Sequence, residues 1–211
     1  PQVCAVMVEP IQGEGGVHPL SKEFFEGVGQ YAKDHDILLI VDEVQTGNGR
    51  TGKLYGYMNY DVEPDIVTTA KGIGGGLPLG VTMFNEKTEN VYTPGTHGST
   101  FGGNPIACAG ALSIMERIDD ALLKEVTAKG QYIKEEFTGA KGVKSVAGMG
   151  LMWGIEPEKD VKEIVPQLLA KGVVVLTAKE KIRLLPALNI PWADLKKAVS
   201  LMKDVLAESI I

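Results

Sequence analysis

Two hydrophobic patterns alternate along the first half of the chain. Val3 to Val8, Ile37 to Val41 and Ile66 to Ala70 are short runs dominated by apolar and β-branched residues, with no alternating polar face. Runs of this kind predict strands buried on both faces of a parallel sheet. Between the first two, Phe24, Val28, Tyr31 and Ala32 recur at helical spacing, with Ser21 placed to cap and Glu23 in the first turn. The pattern predicts a helix whose buried face carries those four residues, and hence a right-handed strand-helix-strand unit. Gly80 to Phe84 reads as a further strand. Residues 93–104 are too rich in Gly, Ser and Thr for regular structure, and Asn104-Pro105 then supplies an N-cap followed by proline at the first helical position. That helix should run through Ala107, Ala111 and Ile114 toward Ile118.

The pattern changes after Asp119. A helix from about Ala121 to Phe137 precedes two strand-like runs, Val143 to Val146 and Leu151 to Ile155. Val161, Ile164, Val165, Leu168 and Leu169 recur at helical spacing. Val173 to Leu176 and Ile182 to Leu185 read as short strands, and Leu195, Ala198, Val199 and Met202 mark a last amphipathic helix. The expected class is α/β for residues 1–118, a mostly parallel sheet with helices, followed by a smaller α+β domain over 119–211.

The strand ends carry the candidate chemistry. The strand at Ile37 runs into Asp42-Glu43-Val44-Gln45, and the strand at Ile66 ends on Lys71 before Gly72-Ile73-Gly74-Gly75-Gly76. Ligands of open α/β sheets bind at the carboxyl ends of the strands. A lysine there can condense with the aldehyde of pyridoxal phosphate. An acid there can keep a pyridine nitrogen protonated, and glycines let a ligand approach the backbone. Taken singly, Asp42 is equally a turn or capping residue, and a lone Lys71 is most often a solvated charge. It is their joint placement at two strand ends that favours function.

Composition removes other classes. The net charge is −6 and the basic residues are scattered, so nucleic-acid binding has no support. No apolar stretch has membrane-spanning length and none resembles a signal peptide. His18, His35 and His97 form no metal-ligand spacing. Cys4 and Cys108, far apart, read as buried reduced thiols of a cytoplasmic protein. The chain opens on Pro1 and enters a strand almost at once, as a chain beginning inside a domain does.

Two further groups have competing readings. Gly47-Asn48-Gly49-Arg50-Thr51-Gly52-Lys53 nearly fits a nucleotide P-loop, but Leu54 stands where the magnesium-binding hydroxyl belongs, and the following residues start a helix poorly. A structured active-site loop is the better reading. Arg183 lies in the apolar run Ile182 to Leu185, and Glu14 in a Gly-flanked loop. A structural ion pair explains both, and from spacing alone it is preferred. The functional version is an arginine for a substrate carboxylate, with Glu14 as its resting partner.

Four segments in order carry a resemblance: Val8 to Gly16; Asp42 to Gly47 through Arg50 to Lys53; Ala70 to Pro78; and Thr96 to Pro105. As a set they resemble class III, ornithine-aminotransferase-like, pyridoxal-phosphate-dependent aminotransferases, most closely those acting on N-acetylornithine. The resemblance implies the type I fold of such enzymes, here a partial large domain plus the C-terminal small domain. It implies that Lys71 holds the cofactor and moves the proton, that Asp42 pairs with the pyridine nitrogen, and that Gln45 lies by the phenolic oxygen. It implies that Ser99 and Thr100 reach the phosphate of a neighbouring subunit's cofactor, so that the active form is a homodimer sharing its sites. Arg183 would bind a carboxylate of glutamate or 2-oxoglutarate, and Glu14 would pair with it when the other donor is bound. The implied reaction moves an amino group from N-acetylornithine, or a similar ω-amino donor, to 2-oxoglutarate in arginine biosynthesis. Ornithine, 4-aminobutyrate, succinylornithine or succinyldiaminopimelate transamination, or an aminomutase, are the neighbouring activities. Members of that family are about twice this length. The chain is thus expected to be the C-terminal half, and a half-chain inactive without its complementary segment is a further reading.

Overall fold

The computed structural model describes residues 2–208. In chain order the elements are β1 (Ala5–Val8), β2 (Ile11–Gln12), β3 (His18–Pro19), α1 (Lys22–Asp34), β4 (Leu38–Asp42), β5 (Ile66–Thr69), β6 (Val81–Phe84), α2 (Pro105–Met115), α3 (Asp120–Phe137), β7 (Val143–Met149), β8 (Met152–Pro157), α4 (Val161–Ala170), β9 (Leu176–Ala178), β10 (Lys181–Leu184) and α5 (Trp192–Glu208). Short 3-10 turns cover Gly56–Asn59, Lys71–Gly74 and Glu89–Val91.

The residues gather into two compact units. One holds the chain up to Pro10, Leu20–Gly49 and Lys53–Asp120; the other holds Ile11–Pro19, Arg50–Gly52 and the chain from Ala121 on. Compactness therefore does not follow chain order alone: two short segments from the first half of the sequence pack with the second unit.

In the first unit the sheet order is β1-β4-β5-β6. β1 and β5 both pair with β4 in parallel, and β6 closes the sheet antiparallel to β5. The strands are less buried than their apolar runs suggest. Along β4, Leu39 and Val41 are buried, while Leu38, Ile40 and Asp42 are half-buried. Met7 on the edge strand β1 is exposed, and Cys4 just before it is exposed too. Cys108 is half-buried, so the expected pair of buried thiols is corrected at both positions; both cysteines are free.

Ser21 caps α1 as expected, its side chain accepting from Phe24 N at 3.2 Å. The buried face is offset by one residue. Phe25 and Ala32 are buried, whereas Phe24 and Tyr31 are 54% and 55% exposed. Phe25 meets the edge of Tyr60 at 4.9 Å, in a cluster with Leu39, Val41 and Val62. Two adjacent phenylalanines satisfy the helical period almost equally, and only the tertiary partner selects one. Asn104 caps α2 by accepting from Ile106 N and Ala107 N, with Pro105 as its first residue. α2 ends at Met115 rather than Ile118, because Arg117 N and Ile118 N tighten into bonds to carbonyls three residues back. Gly110 lets α2 approach the turn after β5: a Cβ there would lie 3.0 Å from Leu77 Cδ1 and 3.4 Å from the Gly74 carbonyl.

In the second unit an antiparallel sheet, β7-β8-β10-β9, is joined to α3, α4 and α5 by one core that includes Val126, Phe137, Ile155, Ile164, Ile182 and Met202. The strand expected at Val173 begins instead at Leu176; Val173 is buried in the core and Lys179, at φ 54°, makes the turn into β10. The β2–β3 hairpin joins this unit through Val17, which is fully buried; a Cβ on Gly154 would come within 2.8 Å of it. Residues 50–52 join it through Arg50, whose carbonyl accepts from Leu151 N at 2.9 Å.

Candidate active site

Asp42 and Lys71 both belong to the first unit, at the carboxyl end of two neighbouring parallel strands. Asp42 is the last residue of β4 and pairs in register with Thr68 of β5. Lys71 follows Thr69 by two residues and opens the 3-10 turn Lys71–Gly74. Parallel neighbours lie about 4.8 Å apart, so the two residues leave one edge of one sheet. Asp42 Oδ1 accepts from Val44 N at 2.9 Å and lies 3.4 Å from Thr68 Oγ1. Oδ2 receives no donor among the described residues, so one carboxylate oxygen is oriented by the protein and the other can still accept a hydrogen bond.

Lys71 is exposed, and its amine makes no hydrogen bond or ion pair among the described residues. Its backbone is left-handed, at φ 48°. That conformation costs a residue with a Cβ about 1–2 kcal/mol, and such outliers cluster at functional sites. The glycine run that follows supplies no side chain to compete for the space: a Cβ on Gly76 would meet nothing within 4 Å.

Next to Asp42, Glu43 is fully buried. Its carboxylate accepts from Thr46 Oγ1 at 2.5 Å, Gly56 N at 2.8 Å and Tyr57 N at 2.7 Å. Burial pushes its pKa up, against the pull of those three donors; the neighbouring charge of Asp42 raises it further. Glu43 thereby ties both ends of the loop between β4 and the Gly56 turn. Within that loop Gly47 N donates to the Glu43 carbonyl, and Gly49 N to the Leu54 carbonyl. A Cβ on Gly47 would stand 2.8 Å from the Glu43 carbonyl, so this position admits only glycine without a shift. These amides are engaged and buried, and a 3-10 turn follows at Gly56–Asn59, so the segment is not a phosphate-cradling P-loop.

The remaining expected residues are dispersed. Gln45 is half-buried in the same loop. Ser99 and Thr100 lie in the irregular segment before α2, exposed, with hydroxyls that make no hydrogen bond among the described residues. Arg183 and Glu14 belong to the second unit. Arg183 sits on β10, 8% exposed, and its Nη1 lies 2.5 Å from Glu14 Oε2. Glu14 is mostly exposed, so the pair has one desolvated member and one in water. Arg50, half-buried, is a second guanidinium of that unit. Its Nη1 donates to the Leu151 and Pro186 carbonyls at 3.1 and 2.5 Å, and burial lowers its pKa to about 10.

Residues 1–206 match the family model for class-III aminotransferases. The chain belongs to the class-III aminotransferases. Among curated relatives, the acetylornithine aminotransferase of Haemophilus ducreyi is 42% identical over 98% of this chain and 53% of its own length. Among solved structures, N-acetylornithine aminotransferase from Stenotrophomonas maltophilia superposes with a TM-score of 0.88 at 32% identity, over 99% of this chain and 57% of that one. Ornithine aminotransferase from Toxoplasma gondii, whose structure has partial occupancy of pyridoxal phosphate at its active site, gives 0.90 at 32% identity, over 97% of this chain and 51% of that one. The chain spans about half the length of the curated relatives it matches.

Class-III aminotransferases use pyridoxal phosphate, and the residues of this chain fit that group on structural grounds. Asp42 offers an oriented carboxylate with an oxygen free of protein donors, and Lys71 offers an unpaired amine at the same sheet edge. Sequence reasoning missed Asn48 and Glu43, both buried beside these residues in the fold. Glu43 had a signal, a second acid directly after a strand end. Asn48 had only its place between two glycines.

Proposed function

We propose that this chain carries the lysine half of a pyridoxal-phosphate aminotransferase site, with Lys71 as the catalytic amine and Asp42 as the partner of the pyridine nitrogen. The observation that carries the reading is their placement at one sheet edge, each with a polar atom free for a ligand. When bound, pyridoxal phosphate supplies an aldehyde that condenses with amines and a protonated ring that withdraws electrons from the bond being broken. Asp42 would accept a hydrogen bond from the ring nitrogen and favour its protonated form. Lys71 would hold the group through its amine and, once the donor's amine has replaced it there, would take and return the proton at the carbon that bears the transferred amino group, as general base and acid. Gln45 would lie by the phenolic oxygen. Ser99 and Thr100 offer exposed hydroxyls to a phosphate, in a homodimer to the partner's cofactor.

Arg183 binds a carboxylate of glutamate or 2-oxoglutarate, and Glu14 is its partner when the other donor occupies the site. The donor is N-acetylornithine or a similar ω-amino compound, in keeping with the acetylornithine relatives; ornithine is the second reading, supported by structural likeness to an ornithine aminotransferase. By chain order, residues 1–118 form the part for cofactor binding and 119–211 the small domain, with 11–19 and 50–52 belonging to the compact unit of the latter, in a cytoplasmic enzyme of arginine biosynthesis. No helix among the described residues is long and apolar enough to cross a membrane.

Donor profiling tests the reading. The chain, alone and with the segment that completes its relatives' length, is mixed with pyridoxal phosphate, 2-oxoglutarate and one donor at a time, and glutamate is measured. Glutamate formed fastest from N-acetylornithine supports the proposal. A faster rate with ornithine or 4-aminobutyrate replaces the donor. No glutamate from any donor, in either form, contradicts it.

A further inference from the structure

The peptide that leads into Lys71 is held from outside its own strand. Asn48, 7% exposed in the loop after β4, donates from Nδ2 to Thr69 Oγ1 at 3.0 Å and to the Ala70 carbonyl at 3.2 Å. The same carbonyl accepts from Ile73 N at 3.2 Å, the bond that opens the turn Lys71–Gly74. One side chain therefore bridges the last residue of β5 and the peptide immediately before the strained Lys71. Ala70 itself is extended, at φ −160° and ψ −149°, and Asn48 holds the carbonyl that this residue presents.

We infer that Asn48 is a positioning residue for Lys71, fixing the Ala70–Lys71 peptide so that the lysine projects from the sheet edge in one direction. The inference rests on the reading of Lys71 as the cofactor-binding lysine. Asparagine suits the task for two reasons. Asn48 is left-handed, at φ 58°, a region asparagine tolerates better than most residues. Its amide also supplies two hydrogens from one nitrogen, one for each acceptor. The loop that presents it is itself fixed, since Gly47 N and Gly49 N are bonded on either side and buried Glu43 bonds Thr46, Gly56 and Tyr57. The close approach is mutual: a Cβ on Gly72 would lie 3.5 Å from Asn48 Cβ.

Two variants separate the side chain from the backbone. Asn48→Gly keeps the left-handed conformation and removes the donor. Asn48→Asp keeps the shape and replaces the donor with a carboxylate. Amide exchange read residue by residue should show Ile73 N exchanging roughly five- to tenfold faster in both, the loss of about one hydrogen bond's protection. In parallel, each protein is treated with pyridoxal phosphate and borohydride, and labelling of Lys71 is compared with that of Lys53. A loosened fold raises labelling at both; loss of the brace lowers the Lys71 to Lys53 ratio, roughly tenfold, with the thermal midpoint within a few degrees of the parent. Faster Ile73 exchange and a fallen ratio in both variants support the inference. Unchanged Ile73 exchange in Asn48→Gly overturns it, leaving Asn48 as a turn residue only. If the parent protein itself fails to label Lys71, the cofactor reading falls, and Ile73 exchange still decides whether Asn48 holds that peptide.

Discussion

Asp42 and Lys71 leave the same edge of one sheet: Asp42 stands in register with Thr68, and Lys71 follows Thr68 by three residues on the neighbouring parallel strand. The protein orients the carboxylate through Oδ1 alone, with Val44 N at 2.9 Å. Asp42→Asn keeps an acceptor for Val44 N and loses the charge. It should fold with an unchanged thermal midpoint, while amino transfer falls on the order of 10²- to 10⁴-fold because the ring nitrogen is no longer held protonated. Circular dichroism together with glutamate production checks both halves. Equal activity in the two proteins would remove Asp42 from the site.

Glu43 gives stability a pH dependence of known sign. Burial raises its carboxyl pKa above the ordinary 4.5. A carboxyl raised in the folded state contributes stability that is full below the unfolded pKa and is lost as pH rises through the folded value. Glu43→Gln cannot ionise, so its midpoint relative to the parent should move in its favour between pH 4 and pH 7. Each unit of pKa shift is worth about 1.4 kcal/mol. A difference that stays flat across that range, measured by thermal unfolding at several pH values, would mean that the bonds from Thr46, Gly56 and Tyr57 offset the burial entirely.

The Arg183–Glu14 pair should behave as a gate for carboxylates. Glu14 is 81% exposed at its side chain, so Glu14→Gln should change stability by less than about 1 kcal/mol. It removes the anion that competes for Arg183, and 2-oxoglutarate binding should tighten roughly fivefold, whereas Arg183→Met should weaken it. Calorimetric titration of 2-oxoglutarate into the three proteins decides; unchanged affinity in both variants would leave the pair purely structural.

Arg50 is a structural cation. Its guanidinium bonds two backbone carbonyls, Leu151 and Pro186. Arg50→Met removes the donor of both carbonyls at a half-buried site and should cost about 1–3 kcal/mol. The denaturant midpoint measures this; a change below about 0.5 kcal/mol would show that water replaces the guanidinium.

The parts that local chemistry dictates were legible in the sequence. Asn104 and Pro105 start α2 as their order predicts, and the strand ends at Asp42 and before Lys71 follow from the apolar runs. What depended on partners far along the chain was not. Phe25 rather than Phe24 faces the core because Tyr60 and Val62 lie on its side. The P-loop-like segment divides at Gly49, since Arg50 bonds residues a hundred positions later while Asn48 bonds Ala70. Nor does any local rule place Lys71, with glycine next to it, in the left-handed region that glycine would enter more easily.

Covalent trapping decides whether Lys71 is the cofactor-binding amine. The chain is mixed with pyridoxal phosphate, its visible absorption is recorded, borohydride is added and the adduct is mapped by mass spectrometry. One adduct per chain is expected, at Lys71 and absent from Lys71→Arg. Labelling spread over surface lysines, or a stoichiometric adduct at another lysine, would contradict it.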